Sequence, residues 1–306
     1  MAQRADRTRM REAAAAAVPR ARRRWGAVLP IAPAFLVVLG LFIYPFVYGL
    51  ELSVHPQGAL AKAGIFANYA AFFGDARERL SIWNTLRLAL PVTLLDLAVA
   101  LPLAYRLRRP IPGQRVITGL LVIPMTLGTV LLAEGMIEFF GPAGWVNKLL
   151  IALHLIASPV QFVHNYTGVF LSLTISDFPA VFLVLLGYAS GLDPALERAA
   201  RTLGAGAWQR ISRVTLPLLA PGIAAAAALS FVATFSVFPS AVLVGEPAGS
   251  TRVIALAAWQ AAYENYDYAR ASAIAMVMAA IELVFVALVL AARSRAYRGA
   301  TIGGRG

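Results

Sequence analysis

The sequence contains no cysteine. That excludes disulfides, thiolate nucleophiles and thiolate metal sites, and it leaves the redox compartment undecided. Charge is also scarce, with 14% of the 306 residues ionic against about 25% in an average soluble domain. Lysine is nearly missing: of 27 basic residues only Lys62 and Lys148 are lysines. No G-x-x-x-x-G-K-[S/T] phosphate loop is present, so this chain has no such site for ATP. The three histidines, His55, His154 and His164, fall in no H-E-x-x-H pattern, and no serine sits in a G-x-S-x-G elbow. The chain therefore reads as neither an enzyme nor a metal protein, and it offers no cofactor site of its own.

What fills the sequence is apolar, at 59% hydrophobic residues. Six runs are long enough to cross the roughly 30 Å of a bilayer's hydrocarbon, which takes about 20 helical residues. They are placed near Leu29–Leu50, Trp83–Leu107, Val116–Phe140, Thr167–Ser190, Pro217–Ala241 and Ala271–Ala292. The expected fold is all-α: a polytopic membrane protein with six transmembrane helices. A basic tail (1–28) precedes this 29–292 region, and a second tail (293–306) follows it. The first run is too long for the h-region of a cleaved signal peptide. A seventh patch, "WVNKLLIALHLIASPVQF", is broken by Lys148 and His154 and reads as a short helix outside the core of the bilayer.

Basic residues set the direction. The N-terminal tail, "RLRRPIPGQR", the 193–217 connection and the C-terminal tail hold 20 of them, while the alternate connections hold six. By the positive-inside rule the arginine-rich side, with both termini, is cytoplasmic. The net charge of +12 thus serves orientation rather than a nucleic-acid surface. Tyr263, Tyr266 and Tyr268 read as an aromatic belt at the opposite interface.

One connection breaks the pattern. "LERAARTLGAGAWQRISRVTLP" (196–217) carries four arginines. Asp193 and Pro194 supply an N-cap and a first-turn proline. Leu196, Ala199, Ala200 and Leu203 share one helical face, with Glu197, Arg198, Arg201 and Thr202 on others. Gly204 occupies a position suited to a left-handed helix end. A second short helix with Trp208, Ile211 and Val214 on one side should follow, and Pro217 should open the fifth span. The connection reads as a helix–turn–helix, either lying among lipid headgroups or serving as a docking knob for a protein.

Here the sequence resembles the permeases of binding-protein-dependent ABC importers. Their cytoplasmic loop follows E-A-A, three residues, Gly, nine residues, I-x-L-P. Ala199, Ala200, Gly204, Leu216 and Pro217 fall at matching places, with Val214 at the isoleucine. Arg198 stands at the usual glutamate, with Glu197 one position earlier. The resemblance implies that this loop couples the membrane helices to a separate ATPase through an ionic contact of the usual glutamate, which here either Glu197 supplies or an altered partner replaces by accepting Arg198. It also implies a second permease subunit, two ATPase subunits that use the ATP, an external solute-binding protein and a bacterial inner-membrane location. The C-terminal stretch looks most like the spermidine/putrescine-type group, so a polyamine is the expected solute, with a sugar as the alternative. A secondary transporter or channel is the rival of another class. It would show inverted repeats, which the two halves do not, and it would leave the loop unexplained.

Asp96, Asp177 and Glu282 fall inside assigned spans, where charge is costly and marks a functional site by default. Arg87, nine positions before Asp96, lies on the opposite side of its helix. Asp177, with Phe178 and a kink at Pro179, is the first expectation for a residue lining a solute path, and Asp96 and Glu282 are further candidates. The bland alternative for each is a packing carboxyl.

Overall fold

The computed structural model describes residues 32–297; the N-terminal tail and the last residues of the C-terminal tail lie outside these. Chain contacts divide the molecule into a unit ending at Leu52 and one beginning at Ser53. The first holds a single helical run: α1 (Ala32–Val38), a π-helical turn (Leu39–Ile43) and α2 (Tyr44–Ser53). The π turn lies just before Pro45. A proline has no N–H to donate and its ring crowds the preceding turn, so the backbone there widens.

The second unit contains α3 (Ala67–Gly74), α4 (Ala76–Leu107), α5 (Gln114–Phe140), α6 (Trp145–Ala152) and α7 (Tyr166–Ser190). It continues with α8 (Pro194–Thr202), α9 (Ala207–Arg210), α10 (Leu216–Phe235), α11 (Pro239–Leu243), α12 (Ile254–Trp259) and α13 (Tyr268–Tyr297). No strand occurs among the described residues. Six helical segments are long and apolar enough to cross a membrane. Helices are the expected answer in lipid, because each backbone N–H and C=O must be paired within its own segment.

α4, α7 and α10 form the centre of this unit. Ala100, Ala104 and Ala226 are fully buried where these helices meet Phe182 and Leu185; small residues let helix backbones approach closely. At Gly222 an added Cβ would lie 2.5 Å from Cγ of Tyr188 on α7, so only glycine permits that crossing. A second cluster joins α13 and α12 to α10 through Phe231, Phe235, Ile254 and Ile274. α5 is broken at Gly128 (φ 72°, ψ 163°) and packs its second half on the core through Ala133 and Met136, against Val163 and Val244.

The second span starts seven residues before the expected Trp83, at Ala76, and the fifth differs at both ends from the sequence reading. The fifth span has no start at Pro217: α9 passes through a π turn (Ile211–Thr215) straight into α10. Pro217 again follows such a turn, which spares the carbonyl four residues back from the ring. The span also ends at Phe235 rather than Ala241, because the chain leaves the helix at Ser236 and restarts at Pro239. The interrupted seventh patch is the short helix expected of it. Asn147, fully buried, folds the following loop back by bonding Gly141 O and the N–H and C=O of Val160 at 2.8–2.9 Å.

Candidate functional site

The arginine-rich 193–217 connection is the polar feature that the bundle's own packing does not absorb. Asp193 Oδ1 accepts the Ala195 N–H at 2.8 Å, the N-cap read from sequence. α8 ends where Gly204 adopts φ 83°, with Gly204 N–H on Arg201 O and Ala205 N–H on Ala200 O, both at 3.0 Å. These bonds satisfy carbonyls left over at the helix end. A Cβ on Gly204 would meet nothing within 4 Å. Its glycine serves backbone conformation alone.

The faces of α8 are inverted relative to an ordinary amphipathic helix on its own core. No residue of α8 is fully buried. Leu196 is 47% exposed, Leu203 just beyond it 87%, and Trp208 on α9 75%. Arg198, Ala199, Arg201 and Gly204 are exposed beside them. The residue turned inward is the acid: the Glu197 side chain is 12% exposed.

That carboxylate has four partners. Oε1 accepts from Arg108 Nη2 at 2.5 Å, Tyr105 Oη at 3.0 Å and Thr215 Oγ1 at 3.1 Å. Oε2 accepts from Arg109 Nη2 at 3.0 Å. Tyr105 and Arg108 stand at the end of α4, with the Arg108 guanidinium 4.2 Å from the Tyr105 ring centre. Arg108 is 5% exposed while Arg109 is 61% exposed. Burial pushes the Glu197 carboxyl upward. Hydrogen bonds from Arg108, Tyr105 and Thr215, with the Arg108 charge, outweigh that and hold it below the ordinary glutamate range. The sequence reading offered Glu197 as an ionic contact for another subunit; the structure occupies both its oxygens within the chain. Arg198, at the motif's glutamate position, is exposed.

The intramembrane acids separate into two groups. Asp96 on α4 is fully buried with neither oxygen hydrogen-bonded, and Asp177 on α7 is 8% exposed with Oδ2 unpartnered. The two act on each other, and Ser230 of α10 stands beside Asp177, its hydroxyl 3.3 Å from Thr93 Oγ1. Asp177 thus faces the inside of its own bundle, between α4 and α10. Asp96, expected with it to line a solute path, is likewise packed inside the bundle. Phe178 is half-buried and stacks on Phe182, and α7 continues through Pro179. Glu282 lies apart on α13 and accepts from Ser236 Oγ at 2.6 Å. Arg87 sits over the Tyr166 ring, 5.6 Å from its centre, and not near Asp96.

Sequence reasoning passed over Glu134 and Glu138. Both lie on α5 and both are exposed. They are four residues apart and so share a helical face. Acids that face out of a membrane helix point at water or another protein rather than lipid. Their i, i+4 spacing inside an assigned span was the available signal.

Residues 96–296 match the family described as binding-protein-dependent transport system inner membrane component. A probable ABC transporter permease of Brucella abortus is 26% identical over 275 residues, covering 87% of this chain and 95% of that one. The spermidine/putrescine transport system permease PotB of Haemophilus influenzae is 30% identical over 179 residues, covering 58% and 62%. Other relatives are molybdenum and sulfate transport permeases of Escherichia coli. In fold, the chain is similar to a chain of a bacterial alginate ABC transporter crystallised with its alginate pentasaccharide-bound periplasmic protein. The TM-score is 0.74 at 22% identity, over 90% of this chain and 96% of that one. Six helical segments long and apolar enough to cross a membrane, and a match that runs from the second of them to the last, lead to one assignment: the chain belongs to the inner-membrane permeases of binding-protein-dependent ABC transporters.

Proposed function

We propose that this chain is one permease half of an ATP-driven importer, with α8 and α9 forming the cytoplasmic surface on which a separate ATPase subunit docks. The observation that carries this reading is the outward apolar face, Leu196, Leu203 and Trp208, ringed by arginines. An exposed aromatic and two exposed leucines with charge around them are the composition of a protein contact centre and its rim. The arginine count supports a cytoplasmic side for that surface and for both termini. The far side then faces the external solute-binding protein. A second permease subunit covers the outward face of α5, whose glutamates need a protein or aqueous neighbour.

For the solute we propose a small polyamine-like cation. Support comes from the Haemophilus relative and from Glu134 and Glu138, which face out of the protomer on a helix whose one basic residue, Arg115, lies at its opposite end, with Lys148 on the adjoining α6. A carboxylate beside a low-dielectric passage lowers the barrier for a cation and raises it for an anion. The test is uptake by vesicles holding the permease pair, the ATPase and the binding protein. Radiolabelled putrescine is the probe, compared with molybdate, sulfate and maltose. ATP-dependent putrescine uptake is expected. ATP-dependent uptake of an anion or the sugar instead refutes the cation assignment, and uptake without any need for ATP refutes the importer reading.

A further inference from the structure

We infer that Glu197 is a positioning residue that fastens the docking helix α8 to two membrane helices at once, so that motion imposed on α8 is handed directly to α4 and α10. This rests on the reading of α8 as the ATPase docking surface.

α8 has no fully buried residue of its own. Its chain links are weak guides for its position, because Gly191 precedes it and the left-handed Gly204 follows. A helix held only that way would pivot when a partner pushed on its apolar face. Glu197 removes that freedom with bonds to three elements. Tyr105 and Arg108 belong to the last turn of α4 and its cap, Arg109 to the residue after it, and Thr215 to the π turn that leads into α10. Arg108 is held in place before Glu197 is considered, since it is buried and stacked on Tyr105. Charge-assisted bonds to a preset, largely dry guanidinium are among the stronger and more directional contacts available. α4 is 32 residues long and, with α7 and α10, makes up the core. A displacement delivered at its end therefore reaches the packed centre of the bundle.

The test uses the complete transporter in lipid nanodiscs, with the permease pair and its ATPase. In this cysteine-free chain, Leu90→Cys places a single thiol on the partly exposed part of α4. Its maleimide labelling rate is compared without nucleotide and with ATP–vanadate. The expected result is a change of about threefold or more in the otherwise wild-type chain. Adding Glu197→Gln should abolish that change while the ATPase stays bound and still hydrolyses ATP. Tyr105→Phe, which removes one donor and little volume, should reduce it about twofold. Glu197→Gln with Arg108→Gln should do no more than Glu197→Gln alone, because the two act through one contact. Three outcomes overturn the inference: no nucleotide response at Leu90→Cys, a full response in Glu197→Gln, or release of the ATPase by Glu197→Gln. The last would make Glu197 a docking contact. Failure of the wild-type chain to hold any ATPase would instead refute the proposed function.

Discussion

Replacing Asp96 by asparagine should make this membrane protein more stable. Asp96 is fully buried on α4 and neither oxygen has a hydrogen-bond partner. Its neighbour across the helix contact is another acid, Asp177, whose Oδ2 is also unpartnered. A buried polar group left without a partner costs about 1–3 kcal/mol. Asparagine keeps the shape and supplies an N–H₂ that can donate to Asp177 without a bound proton. Hydrogen bonds between membrane helices average about 0.6 kcal/mol and reach about 1.7, so that range is the expected gain for Asp96→Asn. At about 2–4 °C per kcal/mol for a large domain, the melting temperature should rise by roughly 1–7 °C. Thermal unfolding of the purified chain in detergent, followed by tryptophan fluorescence, reads this directly. Asp96→Ala is the control: it removes the acid but leaves a void, and it should not show the gain. A fall of more than about 2 °C in Asp96→Asn refutes the reasoning. It would mean that the carboxyl itself, through a bound proton or cation, holds the helices together.

Further expectations concern the loop and the topology. Gly204→Ala and Gly204→Leu should weaken ATPase association to the same degree, about 1–2 kcal/mol of left-handed strain, because a side chain there meets open space; a much larger loss for leucine would reveal a contact. Gly222→Ala drives a Cβ against Tyr188 and should cost about 1–3 kcal/mol by overpacking, measured in the same thermal assay, and Tyr188→Ala should recover part of it. The depressed Glu197 carboxyl gives a stabilising contribution that is complete above the ordinary glutamate value of about 4.3 and is lost as pH falls through the lower folded value. Hydrogen-exchange protection of residues 194–202, corrected for intrinsic rates, should therefore be flat from pH 8 to 5; loss of protection near pH 6 would contradict the assignment. Finally, single cysteines at Ala207 and Gly58, both exposed positions, should label with an impermeant maleimide only in opened cells and in intact cells, respectively; the reverse pattern refutes the orientation.

What the sequence disclosed follows the range of the forces involved. The membrane helices are specified by local apolar length, and so are the Asp193 cap and the left-handed Gly204. Each is a property of a few neighbouring residues, and each is present. The partners of Glu197 are not local: Tyr105 and Arg108 are 92 and 89 positions away. In the sequence those arginines read only as markers of the cytoplasmic side. The apolar stripe of α8 was legible, but the direction it faces was not, since a stripe looks the same whether it covers its own core or awaits another protein. Asp96 and Asp177 were rightly singled out as costly. Which surface they present depends on how α4, α7 and α10 rotate against each other, and that is set by the alanines and glycine at their crossings. Pro217 looked like a boundary because proline usually interrupts a helix; a π turn accommodated it instead.

That accommodation has a mechanical consequence. From Ala207 to Phe235 the chain is one helical segment of 29 residues, and at 1.5 Å per residue such a rod is roughly 43 Å long. Trp208 sits near one tip and Phe235, buried against Phe231 and Ile254, at the other. Such a rod can act as a lever: tilting it by about 5° about its Trp208 end sweeps the opposite tip by about 4 Å, close to the width of an extended alkyl chain. The widened turn at Ile211–Thr215 lies between the Trp208 tip and the rest of the rod, so a bend there would disconnect that tip from the sweep. Thr215, which holds Glu197, marks the place where such a lever would be gripped.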